Sequence, residues 1–127
     1  MSHFASIQTQ IRDIEALRGA CHEMGLVVLE NAEARGYGAN RTRGRYIIKL
    51  RGPYDIAVNP QEDGTFGLTT DWWNGHVEKE VGRDYGRLLQ LYGVHKATRE
   101  ARRHGYTVRR TALRNGSIKL AILGVHA

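Results

Sequence analysis

The sequence predicts an α+β domain: an antiparallel sheet of about five to seven strands with two main helices packed on it, in the order β-α-β-β-β-β-α-β-β. Three observations carry this. Apolar residues recur at spacings of three and four in two stretches, one near residues 14–24 and one from about 81 to 101. Around and between them lie short runs of apolar and β-branched residues bounded by Gly, Pro, Asn and Asp. Near the end, Asn115-Gly116 separates two alternating runs, the strongest short-range signal for a hairpin.

Each element follows from its residues. From His3 to Ile11, alternation puts Ala5, Ile7, Thr9 and Ile11 on one side of a strand. Asp13 is a helix N-cap, and Glu15 lies in the first turn, where the helix dipole favours a negative charge. Ile14, Leu17, Cys21 and Met24 form one apolar stripe, and Gly25 supplies the left-handed residue that ends the helix. Leu26–Leu29 reads as a strand, Asn31–Gly44 as a Gly-, Asn- and Arg-rich loop or poorly paired edge, and Arg45–Leu50 as a strand. Asp55–Asn59 and Thr65–Thr70 are predicted as antiparallel neighbours across the turn Gln61-Glu62-Asp63-Gly64.

The second helical stretch carries two stripes. Val81, Tyr85, Leu88 and Tyr92 share one face, whereas Val94, Ala97 and Ala101 fall nearly opposite, with Gly93 between. Such a helix is either buried on two sides or bent at Gly93. In the final hairpin, Ile118, Leu120 and Ile122 share a face that Tyr106, Val108 and Ala112 can join, around a two-residue type I′ turn at Asn115-Gly116.

A chain of 127 residues is read as one domain, 1–127, large enough to bury a core without metal or disulfide. Cys21 is the single cysteine, so no intrachain disulfide is possible, which fits a reducing compartment. The N-terminus lacks a basic start followed by an apolar stretch, and no window nears the ~20 apolar residues of a membrane span. A cytoplasmic protein without membrane contact is expected.

Charge is segregated. From Lys96 onward eight Lys or Arg face one acid, Glu100, whereas residues 1–95 hold eleven basic and twelve acidic side chains. A second basic block, Arg35, Arg41, Arg43, Arg45, Lys49 and Arg51, has no acid between Glu33 and Asp55. Segregation of this kind fits an anionic partner or two solvated faces.

The string Met1-Ser2-His3-Phe4, with Ile7 and Thr9-Gln10-Ile11-Arg12, resembles the start of an uncharacterised family that includes the hypothetical chloroplast reading frame thirty-five proteins and bacterial relatives. The resemblance continues in order through Leu17, Gly25, Arg35-Gly36-Tyr37, Tyr54-Asp55-Ile56, Gly64, Asp71, Trp72, Tyr92, Gly105-Tyr106 and Gly116-Ser117-Ile118. It implies a single cytosolic or stromal α+β domain without an assigned function. It also implies an accessory role beside an AAA-type ATPase or another small protein. Strong basicity is not implied, so any nucleic-acid reading rests on the residues of this chain alone.

Those residues offer two candidate surfaces. The segment 35–46 interleaves Arg35, Arg41, Arg43 and Arg45 with Tyr37, Tyr46 and glycines: arginine for phosphates, tyrosine for base stacking, glycine for close approach. Arg109 and Lys119, with Thr111, fall by alternation on the solvent face of the hairpin. If both clusters share a face, they form a groove for single-stranded RNA or DNA; the plainer reading is a solvated basic surface. Trp72 and Trp73 are adjacent and would point opposite ways, so one, with Tyr54 or Tyr92 nearby, is expected to line a protein contact, unless both fill the core.

Catalytic signals are weaker. Asp71, His76, Glu78 and Glu80 could ligate a divalent cation, with His76 and Glu80 one turn apart on a helix, but a charged, Gly-interrupted segment is more simply a solvated helix start. Cys21 lies on an apolar stripe and reads as an inert core thiol. His3 could chelate Cu(II) with a free amino terminus if Met1 is retained, but removal of Met1 before Ser2 spoils the spacing; the alternative is a sheet-capping histidine paired with Asp55 or Asp71. There is no phosphate-binding glycine loop, paired-cysteine motif or nucleophile elbow, and no cofactor is expected. The sequence thus favours an accessory or protein-interaction domain, with nucleic-acid binding as the alternative and an enzyme third.

Overall fold

A computed structural model describes residues 3–124. The elements are β1 (Phe4–Gln8), α1 (Ile14–Glu23), β2 (Val27–Arg35), β3 (Arg41–Lys49), β4 (Ile56–Pro60), β5 (Phe66–Asp71), the short α2 (Glu78–Val81), α3 (Gly86–Arg103), β6 (Thr107–Ala112) and β7 (Ile118–Leu123). The first five strands form one antiparallel sheet in the order β1-β5-β4-β3-β2, and β6 pairs with β7 alone. The α+β class and strand number are those the sequence predicts.

One face of the sheet presents Ile48, Ile56, Val58 and Leu68 to the helices, where Leu17, Leu88, Leu91 and Tyr92 meet them. Burial of this apolar surface is the main stabilising force. The α1 ends match their residues: the Asp13 side chain accepts the Ala16 N–H at 3.1 Å, and Gly25 takes a φ of 75° as the Leu26 N–H closes back on Cys21. Cys21 is buried in this layer, and desolvation pushes its thiol up to about 12.

The second helical stretch breaks earlier than Gly93. Val81 belongs to α2; Gly82, Asp84 and Tyr85 all have positive φ; and α3 then runs unbroken through Gly93. Of the two alternatives, burial on two sides holds: Leu88, Leu91 and Tyr92 face the sheet, while Val94 and Ala101 lie beneath the terminal hairpin.

Of Asn31–Gly44, expected as a loop or a poorly paired edge, only residues 36–40 form a turn; the rest is a paired ladder on the edge strand β2 and its neighbour β3. The pairing of β2 with β3 extends from Val27 opposite Lys49 to Arg35 opposite Arg41. Alternation failed to reveal this because the ribbon turns over part-way. Asn31 has a φ of 50°, and Gly44 sits where a Cβ would lie 2.6 Å from the Tyr46 carbonyl oxygen and 3.1 Å from the Ala57 Cβ. Beyond this point the ribbon doubles back over the outer face of the sheet, so that Ala34 packs on Ile47 and Ala57 in a small second core. We call this half of the ribbon, residues 32–44, the flap.

The final hairpin also departs from expectation at its turn. Leu113 and Ser117 close a three-residue loop, with the Gly116 N–H bonded to the Leu113 carbonyl, and only Gly116, at 88°, has positive φ. This is a type I turn with a glycine bulge in place of type I′, because Asn115 spends its side-chain oxygen on the Ser117 N–H and keeps an ordinary backbone.

Candidate functional site

Two buried carboxylates hold the flap. Asp55 accepts the Arg35 Nε–H at 2.8 Å and its backbone N–H at 2.9 Å through Oδ2, and Arg35 Nη2–H at 2.8 Å and the Leu50 N–H at 3.2 Å through Oδ1. Arg35 also reaches the carbonyls of Leu50 and Gly52, and its carbonyl accepts the Asp55 N–H. A bidentate, charge-assisted pair of this kind fixes geometry as well as energy. The pair raises the Arg35 guanidinium above its ordinary value, chiefly through the Asp55 hydrogen bonds.

Asp71, fully buried, lies beside this clasp at the end of β5. It accepts the Tyr37 N–H at 2.9 Å and the Trp73 N–H at 3.0 Å. One carboxylate therefore ties the tip of the flap to the loop after β5, and the side chains above it meet edge to face, with Tyr37 and Trp73 ring centres 6.1 Å apart. Both rings remain nearly half exposed, at 46% and 47%. Beneath, Phe4 lies so close to Gly36 that a Cβ there would stand 2.6 Å from its ring.

The same loop is braced from behind. Trp72 packs edge-on against Tyr85 at 4.7 Å, and His76 against Tyr54 at 5.2 Å. Desolvation first, then the negative charge of Asp71, holds the Tyr54 hydroxyl above its ordinary range. Glu80 accepts the N–H groups of Arg51 and Gly52 at 2.8 and 2.9 Å, fastening α2 to the strand connection.

Several predicted site residues have other work. Arg35 is clasped by Asp55 and offers no free guanidinium. Tyr46 faces the helix layer, edge-on to Phe66 and under the Arg18 guanidinium, so it cannot stack on a ligand beside Tyr37. Arg41 bonds back to the carbonyls of Gly38 and Asn40, while Arg43 and Arg45 are exposed near the fold-over. Arg109 and Lys119 do lie on the outer face of the hairpin, opposite Ala121 and Thr111. That hairpin covers the helices, however, whereas the flap covers the other face of the sheet, so the two basic clusters do not form a common groove.

Of the aromatic candidates, Trp73 is exposed, Trp72 half-buried, and Tyr54 and Tyr92 are core residues. The Tyr92 hydroxyl accepts the N–H groups of Arg12 and Asp13, a structural task. His76 and Glu80 do not share a helix, since α2 begins at Glu78, and Glu78 is exposed. Among the described residues no three His, Cys, Asp or Glu side chains converge as metal ligands. His3 is exposed; the Cu(II) geometry considered for it involves Met1 and Ser2, which lie outside the described residues.

Asp55 as the clasp and Tyr37 as the partner of Trp73 escape a local reading. The only signal is the type of residue: single acids in otherwise apolar strings, Tyr-Asp-Ile at 54–56 and Thr-Asp-Trp at 70–72, which must find donors if buried.

The chain matches the family described as "Protein of unknown function (DUF1257)" over residues 20–121. It belongs to that family. The DUF1257 match takes in the flap, both buried aspartates, Trp73 and nearly all of the terminal hairpin. The Uncharacterized protein ycf35 of Pyropia yezoensis is similar, 27% identical over 125 residues that span 96% of each chain. The resemblance read from the sequence is therefore correct. No solved structure matches this DUF1257 protein, and among its described residues no helix is long and apolar enough to cross a membrane.

Proposed function

We propose that the protein is a non-catalytic interaction domain of an aqueous, reducing compartment, and that its contact surface is the Trp73–Tyr37 pair. The observation that carries this reading is the shared anchor: the backbone N–H groups of both exposed residues are bonded to one buried carboxylate, Asp71. Exposed aromatic rings are the commonest energetic anchors of protein contacts. Holding them on a fixed backbone lowers the ordering cost of association. Arg41, bonded back to the carbonyls of Gly38 and Asn40, adds an exposed cation beside the flap tip.

The test is affinity purification of the tagged chain from its native host, with nuclease treatment of half the sample, repeated with Trp73→Ala and Tyr37→Ala. The expected result is one protein partner, recovered with and without nuclease and weakened about 30-fold by Trp73→Ala, while the thermal transition persists. Recovery that depends on nucleic acid and disappears when Arg41, Arg43 and Arg45 are reversed to Glu would replace this reading with nucleic-acid binding. Recovery untouched by either aromatic substitution would end it.

A further inference from the structure

The terminal hairpin is incomplete as a sheet. Two strands alone are marginal in water, and β6 and β7 pair with no other strand among the described residues. Arg110, bonded to Glu23 on α1, brings β6 alongside the helices and leaves β7 as the outer edge. The Leu113 N–H to Ser117 carbonyl bond sets the ladder, so alternation turns the N–H and C=O groups of Ile118, Leu120 and Ile122 away from β6, toward that edge. The β7 sequence Ile-Lys-Leu-Ala-Ile-Leu is apolar at every position but one. Tyr106, Ile122 and Leu123 are large, exposed apolar side chains at its far end, and Tyr106 and Ile122 border a shallow hollow floored by Ala97 and Ala101. Soluble domains normally blunt such an edge with charge, proline or a bulge.

We propose that β7 receives an extended, acidic segment of a partner protein as a third strand. The backbone edge supplies the ladder, and the hollow beside Ile122 takes an apolar side chain from the added strand. Charge chooses the occupant. The hairpin, residues 107–123, carries Arg109, Arg110, Arg114 and Lys119 and no acid, and Glu100, which borders the hollow beside Ile122, is already held by Lys96 and Arg103. A second copy of this chain would bring matching positive charge to the same place; an acidic strand is drawn to it. This surface lies on the helix side of the molecule, across the sheet from the flap, and stands independently of the Trp73 reading.

The probe is a fluorescent peptide of about ten residues alternating valine and glutamate, compared with its valine–lysine counterpart. The acidic peptide is expected to bind about tenfold or more tightly than the basic one, with affinity falling as salt rises. It should also protect the amides of Ile118, Leu120 and Ile122 from hydrogen exchange. N-methylation of alternate peptide amides should abolish binding to the unaltered protein, and Ile122→Pro, which removes an edge donor, should weaken it about tenfold. No binding at millimolar peptide, equal binding of both peptides, binding that survives N-methylation, or protection of these amides by self-association instead would each overturn the proposal. So would tighter capture of a single-stranded RNA oligomer at the same edge.

Discussion

The flap and the terminal hairpin are both arginine-bearing antiparallel ribbons laid over the outside of a layer, yet they are attached by different means. The flap is clasped by Asp55 and Asp71, both buried and both accepting backbone N–H groups, with Asp55 also bonded to the Arg35 guanidinium. The hairpin rests on an exposed ion pair between Arg110 and Glu23, a Gln90 contact to the Gly116 carbonyl at 2.9 Å, and partial packing of Ile118, above a cavity of about 190 Å³ between Val94 and Val108. Buried, fully satisfied carboxylates specify one position; exposed pairs contribute little and leave an element free to open. The difference teaches that positive charge on a ribbon says nothing about whether the ribbon is fixed: its counter-charge and burial decide that.

The largest effect should come from Asp55→Ala. It strands a partly buried guanidinium and the Leu50 N–H, and should cost about 3 kcal/mol in urea unfolding. Arg35→Ala made in that background should add far less than it does alone, since the two share one interaction. A full additive cost would show that the clasp is not a unit.

Gly44→Ala strikes the fold-over itself. The added methyl meets a backbone oxygen and the Ala57 Cβ, neither of which can swing aside, so a loss of about 1–3 kcal/mol is expected, with the flap amides losing protection first. An equal loss of protection over β6 and β7 would argue against separate attachment.

Acid should act on the hairpin. Hydrogen bonds from Arg110, with further help from His95, hold Glu23 at about 2, below its usual 4.5. A carboxylate depressed in the folded state stabilises fully above its unfolded value, and the contribution fades as pH falls from about 4.5 toward 2. Because both partners are more than a third exposed or close to it, the contribution is at most about 1 kcal/mol. Hydrogen exchange corrected for its intrinsic pH dependence should show residues 107–123 opening over that range, and Glu23→Gln should remove the dependence.

The smallest change is Tyr85→Phe, just before α3 and behind the loop that carries Trp73. The Tyr85 hydroxyl is buried and has no hydrogen-bond partner among the described residues, so its removal should leave stability unchanged or raise it by about 1 kcal/mol at most. A loss of 2 kcal/mol or more in thermal unfolding would reveal a role for that hydroxyl.

What was legible in the sequence was local. The α1 cap, stripe and terminating glycine lie within thirteen residues and need no distant partner. The hairpin register followed from alternation, although its turn did not, because Asn-Gly serves both a two-residue loop with both residues at positive φ and a three-residue loop with only the glycine so. The flap reads in sequence as a loop or a poorly paired edge because the apolar pattern inverts at Asn31, so that Ala34 faces the outer side with Ile47. The clasp was invisible because Arg35 meets Asp55, and Tyr37 meets Asp71, only after the ribbon has folded over. Of the two tryptophans, adjacency indicated that one would be exposed, and the brace of Trp72 on Tyr85 selects Trp73.

Native-state hydrogen exchange, comparing amides of residues 32–44 with those of residues 107–123, tests the contrast between the two ribbons most directly. The clasp by buried carboxylates predicts that the flap opens only with the central sheet, at the global unfolding free energy, while the hairpin opens at a distinctly lower one. A flap that exchanges as readily as the hairpin, or more readily, would contradict it.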